Sequence, residues 1–222
     1  MAIVVVTGTN TDVGKTIASA AVCQHYARQG FRVVPVKPVQ TGEPEGSGDA
    51  QTIEKLTGMV GKCFARFPEP LAPNLSAQRA GMQQLNLEDI VSKIRELDGP
   101  QTVVVVEGAG GLLVRLADTF TIADVAAQLD APLIVVTSMA LGSLNVAELT
   151  VEAAHRRGLK VLGLIGGSIP KNPDLATLLN VAEMEKVTGI PLWGSIAEGA
   201  GQLSREDFCQ LVEDLNLPAM WP

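Results

Sequence analysis

Residues Gly8-Thr9-Asn10-Thr11-Asp12-Val13-Gly14-Lys15-Thr16 carry the chemistry that a bound phosphate needs. The β-branched run Ile3-Val4-Val5-Val6 precedes them, and a helical pattern over 15–29 follows. A strand, a Gly-rich turn and Gly-Lys-Thr at a helix start form a phosphate cradle. The leading amides of a helix lack intrahelical acceptors, and its dipole favours anions there. Nucleotide contacts are therefore expected from Asp12, Val13, Gly14, Lys15, Thr16 and Ile17. Lys15 supplies a full charge for terminal phosphates, and the Thr16 hydroxyl stands where a Mg2+ ligand is needed. A tight turn closed by a capping threonine would use similar residues. The strand before and the helix after favour a nucleoside triphosphate.

Four further groups fall where chemistry is expected. Lys37-Pro38-Val39-Gln40-Thr41-Gly42 ends a second apolar run, so Lys37 emerges at the same edge as Lys15. A second cation there would neutralise charge on a transferring phosphoryl group or its acceptor, and Thr41 offers a hydroxyl to a polar substrate. Asp49 opens a helical stretch after Gly46-Ser47-Gly48, as a helix N-cap or as a carboxylate reaching Mg2+. Val103-Val104-Val105-Val106 delivers Glu107 to a strand end, followed by Gly108-Ala109-Gly110-Gly111, whose amides are open to an anion. Thr16, Asp49 and Glu107 make an oxygen-only set suited to a hard cation. Leu141-Gly142-Ser143-Leu144-Asn145 opens another helix, with Ser143 as its expected N-cap or with open amides for a carboxylate.

The elements that position these groups alternate. Apolar strands are expected at 3–6, 32–36, 103–106, 133–137, 161–165 and 191–196. Helices are expected at 15–29, 49–57, 87–97, 122–129, 143–157, 174–187 and 204–215. Near-continuous apolar strands mean that both sheet faces are covered. The rhythm predicts one α/β domain over 1–222, a doubly wound, mostly parallel sheet with a phosphate loop, of the P-loop NTPase kind. Such sheets bind ligands beyond the carboxyl ends of their strands. Segments 37–48 and 62–81 read as long loops; the second holds Pro68, Pro70 and Pro73.

Composition narrows the function. The chain has 222 residues, 46% of them apolar, and a net charge of −7, which argues against nucleic acid as a partner. Its apolar runs are strand-sized, shorter than the ~20 residues that span a bilayer, so no membrane partner is expected. No signal peptide is expected. Cys23, Cys63 and Cys209 are scattered and lack metal spacing. A reduced cytoplasm is the expected location.

Together these motifs resemble dethiobiotin synthetase, in order and from end to end, including the phosphate loop that is one residue longer than usual. The resemblance implies an ATP-dependent ligase acting on 7,8-diaminopelargonic acid and CO2 (or bicarbonate). One amine captures CO2 as a carbamate, the carbamate attacks the γ-phosphate, and the second amine closes the ureido ring of dethiobiotin, releasing ADP and phosphate. It further implies Lys37, Lys15 and Thr11 as catalytic, and Thr16, Asp49 and Glu107 as Mg2+ ligands. Gly108, Ala109 and Gly110 join the nucleotide site, with Gly167, Ser168, Ala197, Glu198 and Gly199 toward the base. Lys37, Thr41, Gly111 and Leu112 would hold the substrate from one side. Gly142, Ser143 and Asn145 would hold it from the other, at a homodimer interface.

Leu164-Ile165-Gly166-Gly167-Ser168 has no Asn where some members of that family pair with adenine. Weak discrimination among nucleoside triphosphates is expected. The alternative is a dimerising switch ATPase of the ParA/MinD type. Against it, Asn10 stands where those proteins carry an early loop lysine, and the segment 215–222, ending Met220-Trp221-Pro222, is not basic.

Overall fold

The structure, a computed structural model, describes residues 2–219; Met1 and the Met220-Trp221-Pro222 end of the non-basic tail lie outside the described residues. The chain runs β1 (Ile3–Gly8), α1 (Lys15–Arg28), β2 (Arg32–Thr41), α2 (Asp49–Thr57), β3 (Lys62–Phe67), α3 (Pro73–Arg79), α4 (Leu87–Arg95) and β4 (Thr102–Gly111). It continues through β5 (Arg115–Ala117), β6 (Phe120–Thr121), α5 (Ile122–Leu129), β7 (Leu133–Ser138), α6 (Ser143–His155), β8 (Val161–Ile169), α7 (Leu175–Thr188), β9 (Leu192–Ala197) and α8 (Arg205–Glu213).

Seven strands form one sheet in the order β3-β2-β4-β1-β7-β8-β9, and every neighbouring pair is parallel. β5 and β6 form a separate antiparallel pair. The β-branched runs sit centrally because they can be apolar on both faces: Val4, Val5 and Val6 are completely buried, as are Val103, Val104 and Val106. Val5, Val104 and Val106 face one core, shared with Ile90, Ile94, Ile122 and Met184. Val4, Val6, Val103 and Val105 face the other, with Tyr26, Leu56 and Phe208. Helices α1, α2 and α8 pack on one another over that second face. The small residues Ala18, Ala20 and Ala21 are fully buried in α1. They let the helix that begins at the phosphate loop lie close to the sheet.

Three expectations change. The stretch read as a long Pro-rich loop over 62–81 contains β3 and α3. β3 is an edge strand paired on one side only, so Lys62-Cys63-Phe64-Ala65-Arg66 need not be apolar throughout. β2 runs on to Thr41, through most of the motif at 37–42. β4 does not turn after Glu107 but continues through its glycines, and Gly111 pairs with Gly8. Glu107 is therefore held inside the sheet beside Val6, not on a loop.

Candidate active site

β1 and α1 build the phosphate loop. Gly14 is the N-cap of α1 at φ +91°, a conformation that L side chains resist, and no side chain caps the helix. The leading amides are left for a ligand. Lys15, buried at the helix start, donates from Nζ to the Asn10 carbonyl at 2.8 Å. Asn10 Oδ1 accepts from the Thr11 amide at 2.8 Å, which closes the extra residue of the loop on itself. From the far side β8 presses on this loop: a methyl group added at Gly167 would lie 1.8 Å from the Val13 carbonyl oxygen. Gly167 and Ser168 are thus brought against Val13 and Gly14. The β9 end follows them, with the Glu198 amide donating to the Ile169 carbonyl at 2.8 Å.

Beside the loop, β2, α2 and β4 deliver a cation and two carboxylates. Lys37 Nζ donates to Glu107 Oε1 at 2.9 Å and to the Gly108 carbonyl at 2.8 Å, and it also pairs with Asp49 Oδ2. Thr16 Oγ1 donates to the same Glu107 oxygen at 3.0 Å. The Lys37 and Glu107 side chains are 5% and 1% exposed, against 28% for Asp49. Burial works against the Lys37 charge, but Glu107 and Asp49 outweigh it and hold the ammonium above the usual lysine range. Burial is likewise the largest influence on Asp49, yet Lys37 overrides it and keeps that carboxyl low. Glu107 goes the other way. Burial, with Asp49 adding, pushes it above the usual carboxylate range, because one ammonium serves two acids. Burial also lowers the Lys15 ammonium, and Lys37 adds to that effect.

Glu107 Oε2 is buried without a hydrogen-bond partner. An orphaned carboxylate oxygen beside the Thr16 hydroxyl and the Asp49 carboxylate is a donor set for a hard cation. Among the described residues no cluster of three or more His, Cys, Asp or Glu is gathered. A divalent ion here would complete its shell with water and phosphate oxygens, the usual manner for Mg2+.

A cleft of about 860 Å³ joins these groups, lined by Thr11, Asp12, Gly14, Lys15, Thr16, Ile17, Lys37, Thr41, Asp49, Glu107, Ala109 and Gly110. Gly111 and Leu112 line a neighbouring cavity of about 350 Å³ with Thr9 and Asn10. Val13, Gly108, Gly142, Ser143, Asn145, Gly167, Ser168, Ala197, Glu198 and Gly199 line neither cavity. Two capping expectations are corrected. The N-cap of α2 is Gly48, and Asp49 is the first helical residue, which frees its carboxylate for Lys37. The N-cap of α6 is Gly142, so Ser143 is not the cap; its hydroxyl is buried and unpaired. Sequence reasoning missed Leu71 and Ala72, which line the cleft from the segment before α3, and Gln40, whose amide oxygen accepts from the Asp49 amide at 2.9 Å.

Comparison with known proteins decides the family. The chain is 93% identical, over all 222 residues and all of its counterpart, to the ATP-dependent dethiobiotin synthetase BioD of Corynebacterium diphtheriae. The chain belongs to the dethiobiotin synthetase family. Membership makes it an enzyme, a ligase built on a phosphate-loop sheet. The Corynebacterium glutamicum (strain R) dethiobiotin synthetase is 57% identical across 97% of this chain and 94% of its own length. The family profile described as an AAA domain matches residues 3–202. The cell division ATPase MinD of Pyrococcus furiosus aligns with a TM-score of 0.60 at 15% identity, over 96% of this chain and 98% of its own. That likeness is one of fold alone.

Proposed function

We propose that this synthetase closes the ureido ring of dethiobiotin from 7,8-diaminopelargonic acid, CO2 and a nucleoside triphosphate, in the reducing cytoplasm. The observation that carries the reading is the buried Lys37 ammonium. It stands between Asp49 and Glu107 in the cleft that Lys15 and Thr16 share. The leading amides of α1, with Asp12, Val13, Gly14 and Ile17, cradle the phosphates, and Lys15 holds the terminal ones. Gly108, Ala109 and Gly110 flank the nucleotide. Gly167, Ser168, Ala197, Glu198 and Gly199 face the base, with no side-chain amide to read it. Thr16, Asp49 and Glu107 would hold Mg2+, which supplies charge neutralisation on the phosphates.

One substrate amine adds to CO2 and loses a proton, giving a carbamate. A carbamate oxygen attacks the γ-phosphorus, ADP leaves, and a carbamic–phosphoric anhydride results. The second amine attacks its carbonyl carbon and loses a proton, and phosphate departs as the ring closes. Lys37 stabilises the carbamate and the transferring phosphoryl group; Thr11 and Thr41 orient the substrate's polar groups. Gly111 and Leu112 grip the tail from one protomer. The partner subunit contributes its equivalents of Gly142, Ser143 and Asn145. A homodimer is supported by exposed leucines on α6, on α7 and in the loop before α6: Leu141, Leu149, Leu175, Leu178 and Leu179 are 54–87% exposed. Incubation with the diamine, bicarbonate, Mg2+ and ATP, followed by mass detection of the ureido product, tests the proposal. Folded protein giving no product refutes it.

A further inference from the structure

The amide end of α2 differs from those of α1 and α6. All three helices start from a glycine with no side chain of its own to cap them. Only at α2 is a leading amide taken by a side chain from elsewhere in the chain, Gln40 Oε1 at 2.9 Å from the Asp49 amide. The fit is close: Gly48 sits at φ +116°, and a methyl group there would come within 2.7 Å of that oxygen. Arg66 is the register partner of Gln40 on the adjacent strand β3. Its Nη2 donates to the Pro44 carbonyl at 2.8 Å and to the Ser47 carbonyl. Two paired side chains of β2 and β3 therefore hold the segment that leads into Asp49 at Pro44, at Ser47 and at the Asp49 amide. A free loop containing Pro44, Gly46 and Gly48 would let that carboxylate wander, and a metal ligand must be held closely.

We propose that Gln40 and Arg66 are positioning residues that fix the 42–48 segment and thereby aim Asp49 at Lys37 and the divalent cation. This rests on the metal role given to Asp49 above. The test compares Gln40→Met, Arg66→Met, the double variant and the rescue variant Gln40→Glu, which keeps an acceptor oxygen, with Asp49→Asn as the reference. The readouts are the Mg2+ concentration for half-maximal turnover, Mn2+ binding to the ADP complex by electron paramagnetic resonance, and amide exchange over 42–52. The methionine variants should raise the metal requirement about tenfold, within the range that outer-shell partners cost, with a smaller fall in turnover at saturating Mg2+. Mn2+ should bind correspondingly more weakly, and exchange should quicken over the segment. Gln40→Glu should restore both metal readouts, and the double variant should add less than the sum, because both side chains hold one loop. A shifted Asp49→Asn beside metal readouts unmoved in folded Gln40→Met and Arg66→Met would overturn the clamp. An unshifted Asp49→Asn would overturn the metal role of Asp49 itself.

Discussion

Replacing Lys37 by methionine keeps an unbranched side chain one atom shorter and removes its charge. In the native site that charge faces a carboxylate 1% exposed and another 28% exposed. Removing one partner of a buried ion pair costs about 3–5 kcal/mol. Asp49 retains some water, so the lower figure is favoured. At about 2–4 °C per kcal/mol for a chain of this size, melting should fall by roughly 6–12 °C at pH 8. The pH dependence has a definite sign. Glu107 already binds its proton above the usual carboxylate range through burial, and losing Lys37 moves it higher still. A carboxyl with a raised folded-state pKa destabilises once the unfolded chain ionises. The deficit of the variant should therefore shrink toward acid pH, below the ordinary carboxylate pKa of about 4.3, where Asp49 also gives up the charge that Lys37 holds, and grow as pH rises through the folded-state value of Glu107. In catalysis the loss of a charge aimed at the reacting oxygens should lower turnover by about 10²–10³-fold or more. ADP affinity, which the proposal assigns to Lys15 and the helix amides, should barely change. Calorimetric melting over pH, steady-state ring closure and ADP titration measure the three quantities. Unchanged turnover in Lys37→Met would refute the catalytic assignment, and a pH-independent deficit would refute the account of Glu107.

Lys15 ionises below the usual lysine range, chiefly through burial. Nucleotide kcat/KM should therefore fall on the alkaline side earlier than an ordinary lysine would allow; a flat profile through that limb contradicts the role. Gly167→Ala should push the phosphate loop out of shape, since its methyl group would sit 1.8 Å from the Val13 carbonyl oxygen. A stability loss of about 1–3 kcal/mol and a raised nucleotide KM are expected in melting and kinetic assays. Turnover with ATP, CTP and GTP should differ little, and a strict ATP requirement would show that backbone alone reads the base. Leu149→Glu with Leu178→Glu should convert dimer to monomer in light scattering and depress turnover with it; an unaltered oligomer would place the dimer face elsewhere.

Much of this molecule could be read before its structure was seen. The parallel sheet was legible because residues 3–6 and 103–106 are unbroken β-branched apolar runs, which a sheet covered on both sides tolerates. Lys15, Thr16, Lys37, Asp49 and Glu107 were legible because each follows such a run or opens a helix, and the topology brings those ends together. β3 was not legible, since an edge strand bearing Lys62 and Arg66 has no apolar signature and three prolines follow it. Nor was the continuation of β4 through Gly108-Ala109-Gly110-Gly111, because glycines signal turns unless neighbouring backbones claim them. Gln40 lay inside a recognised motif, but its contact with the Asp49 amide depends on a residue nine positions away folding back over it. Ser143 and Asp49 misled as caps because a glycine precedes each and takes that position.

The most direct test of the chemistry follows one oxygen atom. Ring closure with doubly 18O-labelled CO2 under single-turnover conditions should place one 18O in the released phosphate and retain the other in the ureido carbonyl. In the proposed route the carbamate oxygen that attacks phosphorus departs with it. Labelled product accompanied by unlabelled phosphate would mean that no carbamic–phosphoric anhydride forms at this site.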